Sequence, residues 1–208
     1  MILVKRIIMA VVGFTIISIA IAVLRIINLG IDPLGAMSLG ISYLTGIRFG
    51  NVLVIVQAPL LLLTLWKQKK LIGIGTIMGM FGVGYVIDFF YFLAAQTPIA
   101  YAEPSLVVRL IILALALVVL SIGASIYMVS NLGMIPYDST GFVLEGLTKG
   151  KIKFKWIRLG MDGTCAIVAI ILGATVGIAT AMTVFSVGPL ISFFKGRIEA
   201  FAQRRILV

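Results

Sequence analysis

Asn28-Leu29-Gly30-Ile31-Asp32-Pro33 stands between a long apolar run and a shorter one. Its spacing returns 103 residues later as Asn131-Leu132-Gly133-Met134-Ile135-Pro136. Glycine permits the backbone angles that end a helix, and proline fixes φ for the first turn of the next. Each copy therefore reads as one helix stopping and another starting. In an apolar chain such a break is costly unless protein or a water-filled cavity satisfies the freed backbone groups. The chain is organised around these two breaks.

Hydrophobic residues make up 62% of the 208 and charged residues 12%, with a mean hydropathy of +1.22. A soluble domain of this size cannot hide so much apolar side chain. The class is a polytopic membrane protein, with the lipid bilayer as its first partner. There is no His, and the single Cys165 lies in an apolar run. That excludes His/Cys metal sites and disulfides, and no cofactor is expected. The net charge of +10 does not predict nucleic-acid binding, because the basic residues sit in short loops, where positive-inside sorting puts them. Lys5 and Arg6 before an apolar run could pass for a signal peptide. The run has a counterpart at 106–130 before the second break, so it is read as mature sequence.

In chain order the apolar pattern predicts spans at 7–27, 52–66, 72–95, 105–130, 156–174 and 178–194. The segments after the breaks, 33–47 and 136–148, are too short to cross: about 15 residues reach roughly 22 Å of a hydrocarbon core about 30 Å thick. The ends of the two halves align 104 residues apart. Thr76 meets Thr180, Met78 meets Met182, and Phe89-Phe90 meets Phe193-Phe194, within eight identities over fifteen positions. This predicts one membrane domain of two repeats, 1–98 and 104–195, followed by a basic cytoplasmic tail, 196–208. If the short segments do not cross, 14 of the 17 Lys and Arg fall on the side of the N-terminus, and Glu103 lies in an outer loop. The expected fold is all-α: six transmembrane helices in two inverted three-span repeats, each with a broken or re-entrant short helix. Both termini are expected in the cytoplasm.

The second half carries an ordered set of residues: Asn131-Leu132-Gly133-x-x-Pro136-x-Asp138, Arg158-x-x-x-Asp162, Gly177, Thr180 and Gly188-Pro189-x-Ile191. The first half adds Leu29-Gly30-x-Asp32-Pro33, Gly75-Thr76 and Asp88-Phe89. Together these resemble the YczE-type family, grouped with YyaS and YitT, of small bacterial integral membrane proteins. Ile135 and Ala179 stand where the resemblance expects glycine. The resemblance implies a bacterial inner-membrane location and names no substrate.

Asp32 is placed to cap the helix after Pro33, and Asp138 to complement the helix start after Pro136. Both starts would line a substrate or ion path together with Asn28, Gly30, Pro33, Asn131, Gly133 and Pro136. Asp162 has Arg158 one turn before it, so an i,i+4 pair is available. A carboxylate inside a span is a functional hypothesis by default, and a structural pair with a snorkelling Arg158 is the plainer alternative. Asp88, among aromatic residues, is a second intramembrane acid, read as ion coupling or as an interfacial anchor. Thr76 and Thr180 mark matching helix starts. Gly75, Gly79, Gly82 and Gly84 are read as a close-packing face. There is no nucleophile elbow, P-loop or close carboxylate pair, so no enzyme is expected. The expectation is secondary transport of a small polar or ionic solute, with a proton or sodium as the coupling ion. A passive channel of the same architecture, or an accessory protein assisting a biosynthetic enzyme, are the alternatives. A homodimer is compatible with the sequence, which does not set the oligomeric state.

Overall fold

The computed structural model describes residues 2–97 and 104–205, with side chains placed to Ala202; the loop with Glu103 lies outside the described residues. Among those described there are eight α-helices and no strand. They are α1 (Ile2–Ile26), α2 (Pro33–Thr45), α3 (Phe49–Lys67), α4 (Ile74–Ala95), α5 (Leu106–Val129), α6 (Pro136–Leu147), α7 (Phe154–Ile171) and α8 (Ile178–Arg205). Five of them, α1, α3, α4, α5 and α8, are long and apolar enough to cross a membrane. Helix α7 has 18 residues and is less apolar, because Lys155, Arg158 and Asp162 fall within it. Leu62, Phe92, Val107 and Phe185 expose large apolar side chains on the outward faces of four of the apolar helices. Such surface needs hydrocarbon around it, and the chain is a multi-pass membrane protein.

The helices pack in matched pairs. Helix α1 lies against α5 at the centre, α4 packs on α1, and α8 packs on α5. On the other side α2 packs on α7 and α6 on α3. The central crossing is close: a Cβ on Gly13 would stand 2.7 Å from the Tyr127 amide nitrogen, and one on Gly123 2.9 Å from the Gly13 carbonyl oxygen. Small residues there let two backbones meet, the usual device where helices cannot gain from excluding water. Phe14 and Tyr127 stack beside the crossing with ring centroids 4.8 Å apart. Buried Ser18, Ser38, Thr64, Ser121 and Ser125 each bond a carbonyl one turn back, so few hydroxyls go unpaired in the core.

Both breaks interrupt the helix path. Asn28 and Asn131 adopt φ of 51° and 53°, and Gly30 and Gly133 follow at 98° and 106°. Asn and Gly are the residues that tolerate this left-handed region. Each break then docks on a helix start in the other half. The Gly75 amide donates to the Leu132 carbonyl at 2.8 Å, and the Ala179 amide donates to the Leu29 carbonyl at 3.0 Å. A Cβ at Gly30 would meet the Gly177 amide nitrogen at 2.8 Å, and one at Gly133 the Gly73 amide nitrogen at 2.5 Å. Thr76 and Thr180 hold the receiving turns, accepting from the Gly73 and Gly177 amides at 3.1 and 3.4 Å.

Two extents differ from the sequence reading. Helix α8 runs through the segment expected as a tail, because Ala202 is fully buried against Met9 and Val129. Of the glycines in α4, Gly75, Gly79 and Gly84 meet neighbours, whereas Gly82 has nothing within 4 Å. That residue lies off the packing face.

Candidate functional site

The start of α6 brings Asp138 to the inner face of α7. Arg158 Nη1 donates to Asp138 Oδ1 at 2.5 Å, and Arg158 Nε lies 3.3 Å from the Asp162 carboxylate. One guanidinium thus bridges two carboxylates, one of them the i,i+4 partner on its own helix. Two tyrosines complete the centre. Tyr137 Oη donates to Asp162 Oδ1 at 2.7 Å, with its ring under the Arg158 guanidinium at 4.4 Å. Tyr127 Oη donates to Asp138 Oδ2 at 3.1 Å and accepts from the Ile135 amide at 3.3 Å. Asp162 is 6% exposed, so its charge depends on these partners rather than on solvent. Cys165 lies 3.5 Å from the Tyr137 hydroxyl, buried and free.

Asp32 faces the same centre from α2. Its Oδ2 accepts from the Gly35 amide at 2.9 Å, the helix-capping bond read from the sequence. Its Oδ1 is buried without a partner, and it lies within electrostatic range of Asp162 and Arg158. Two carboxylates therefore contact one guanidinium, and Asp32 adds a third negative group at longer range. Pro33 and Pro136 are buried at the first positions of α2 and α6. Gln57, on α3, is 5% exposed and leaves its Oε1 unpaired.

Asp88 belongs to a second, separate pair. Arg25 Nη1 donates to Asp88 Oδ1 at 3.1 Å, and the Gly50 amide donates to Asp88 Oδ2 at 2.8 Å. The Arg25 guanidinium lies 4.0 Å from the Tyr91 ring centroid and 5.0 Å from that of Phe49. Arg109 donates to the carbonyls of Ile27 and Asn28 at 2.8 and 2.9 Å, satisfying the open end of α1 at the first break. The sequence reading singled out none of Arg25, Arg109, Tyr127 and Tyr137. A signal existed for two of them, since Arg25 and Arg109 are among the three basic residues that the charge-sorting count left on the far side. Tyr137 sits inside the second motif, between Pro136 and Asp138.

Two cavities reach the breaks. One, of about 310 Å³, touches Gly30, Ile31, Leu39, Tyr43 and Thr175. The other, of about 460 Å³, touches Leu71, Met134, Phe142 and Gly146. Ile31 and Met134, Leu39 and Phe142, and Tyr43 and Gly146 are pairs 103 residues apart, and Leu71 and Thr175 are 104 apart. The two cavities thus occupy corresponding places in the two halves. Among the described residues no cluster of three or more acidic or Cys side chains could hold a metal ion.

Apolar helices around a buried ion-pair centre, with cavities at two helix breaks, define a multi-pass helical membrane protein. The chain belongs to the family of unknown function DUF6198, whose model matches residues 4–196. It is 29% identical over 189 residues to YyaS of Bacillus subtilis (strain 168), covering 90% of this chain and 91% of that one. The membrane protein YczE of the same organism is 26% identical over 165 residues, 79% of this chain and 73% of its own. A Haemophilus influenzae protein (strain ATCC 51907 / DSM 11121 / KW20 / Rd) is 24% identical over 168 residues, 80% and 72% respectively. The YczE-type resemblance read from the motifs thus holds across the chain. No solved structure matches.

Proposed function

We propose that this protein is a secondary transporter of a small polar or ionic solute in the bacterial inner membrane, with the solute path between two inverted halves. In this reading α7 is the sixth crossing, its Arg158 and Asp162 tolerated because they pair with each other, and Arg158 with Asp138, within the protein. Helices α2 and α6 enter from opposite faces, and both termini are cytoplasmic. Removing Arg158 from the fourteen loop charges leaves thirteen of 17 on one side, so the sorting argument stands.

The observation that carries the proposal is the correspondence of the two cavities, each lined by residues of one break and of the short helix after it. Alternating access needs two vestibules that open in turn onto a shared site, and a repeat related by a pseudo-twofold supplies them. The centre suits a coupling ion or proton because carboxylates outnumber the guanidinium.

The test begins with a stabilisation screen of the purified protein across amino acids, organic acids, vitamins and inorganic ions. Stabilising solutes are then assayed for uptake into proteoliposomes under imposed pH or sodium gradients. The expected result is accumulation driven by one of those gradients. Gradient-independent downhill flux would replace the transporter with a channel. A folded protein that moves no solute and co-purifies with a partner would replace both with an accessory role.

A further inference from the structure

The cavity at the first break differs from its counterpart in having an arginine in its wall. Arg25 lines it with Asn28, Tyr43, Tyr91 and Thr175, whereas the corresponding position in the second half is Met128. The Arg25 side chain is 13% exposed, and its one hydrogen bond runs from Nη1 to Asp88. Its Nε is buried without an acceptor. Asp88 engages the Nη1 side and takes the Gly50 amide on its other oxygen. Nη2 also makes no hydrogen bond and, unlike Nε, is not sealed off, so it is the N–H group that the cavity can reach.

The charges at the cavity point the same way. Arg25 and Arg109 stand at the end of α1 against the single acid Asp88. Asp32, next in the chain to the cavity-lining Ile31, turns one oxygen to the Gly35 amide and is not among the residues that line the cavity. A volume of about 310 Å³ lies at the small end of the range for ligand sites. The Tyr91 and Phe49 rings hold the guanidinium plane in place, so little entropy is lost when an anion docks.

We propose that this cavity binds a small monocarboxylate, held by Nη2 of Arg25 beside the first break. The Asp88 pair keeps the arginine aimed, and the ligand gives Nη2 the acceptor it lacks. This site does not rest on the transport reading, because occupancy is measured without flux.

The experiment is thermal unfolding and calorimetry of the purified protein in neutral detergent. Acetate, pyruvate and benzoate are compared with acetamide, pyruvamide and benzamide. At least one carboxylate is expected to raise the Tm while its amide does not. Ala95→Phe fills the cavity wall without touching the ion pair, and should weaken binding by about tenfold or more at unchanged basal Tm. The double variant Arg25→Gln/Asp88→Asn removes both charges together, leaves no orphaned acid, and should lose the carboxylate effect. The proposal is overturned if no carboxylate stabilises the folded protein, if amides do so equally, or if binding survives in Ala95→Phe. Stabilisation by phosphatidylglycerol alone would also overturn it, because the arginine would then serve a lipid headgroup.

Discussion

At the first break the acid stands before its proline, as Asp32, and caps α2; at the second it stands two residues after the proline, as Asp138, on the surface of α6. The position matching Asp138 in the first half is Gly35, where a Cβ would lie 2.6 Å from Asp32 Oδ1. The position matching Asp32 in the second half is Ile135, which makes no side-chain cap. Each helix start thus carries one negative group, as the helix dipole favours, and the two placements lead to different neighbours. Asp32 meets a backbone amide, while Asp138 is turned onto α7 and reaches Arg158. The arginines follow the same division. Arg158 corresponds to Val54 and Arg25 to Met128, so neither charge has a twin. A duplicated backbone with unmatched charges is what a path needs if its two ends are to differ.

The first way to break this comparison is to test whether the two backbones are equivalent. Gly30→Val and Gly133→Val each place a β-branched side chain at positive φ against the backbone of the other half. Strain and overpacking together should cost roughly 2–6 kcal/mol at either site, read as lost folded yield and lowered Tm in detergent. Gly173→Val is the control, since Gly173 has φ 71° but nothing within 4 Å; its cost should be smaller. If one break tolerates valine, the halves are not equivalent.

The second contrast is between the two ion-pair centres. Arg158→Met leaves Asp138 and Asp162 without a counter-charge, and should cost about 3–5 kcal/mol of stability. Arg25→Met leaves Asp88 with the Gly50 amide still donating, and should cost about 1–3 kcal/mol. Denaturant titration of both variants checks the order. Adding Asp162→Asn alone to Arg158→Met should rescue only part of the loss, because Asp138 remains charged. Adding Asp138→Asn as well should recover most of it. Full rescue by Asp162→Asn would mean that Arg158 and Asp162 form a private pair and that Asp138 stands outside the centre.

These centres also mark where sequence reading reached its limit. The breaks were legible because their determinants are local: Asn and Gly for left-handed φ, Pro for the next first turn. The matched helix starts were legible because Thr76 and Thr180 repeat within an aligned segment. The link from Arg158 to Asp162 was legible as a one-turn spacing. The link from Arg158 to Asp138 joins separate helices, and Arg25 pairs with Asp88 across 63 residues. No periodicity carries such pairings, which arise only once α1 lies on α4 and α6 is turned toward α7. Helix α7 shows the same limit in another form. Its charges make it less apolar than the five membrane-length helices, and beyond the helix itself Arg158 and Asp162 find their partners on α6.

The smallest expected effect separates the two helix-start acids. Asp32 makes one bond, to an amide, and its other oxygen has no partner. Asparagine caps a helix about as well as aspartate, so Asp32→Asn should change stability by no more than about 0.5 kcal/mol, whereas Asp32→Ala should lose about 1 kcal/mol. Asp138→Asn differs, because it removes a charge-assisted bond from a guanidinium and should cost about 1.5–3 kcal/mol. Thermal unfolding of the three variants under one condition gives the ranking. If Asp32→Asn falls as far as Asp138→Asn, the negative charge of Asp32 is engaged in the folded protein, and the division of the two acids into a cap and an ion-pair partner fails. If Asp32→Asn keeps its stability yet loses gradient-driven uptake, the unpartnered oxygen is the place in the first half where the coupled proton or cation acts.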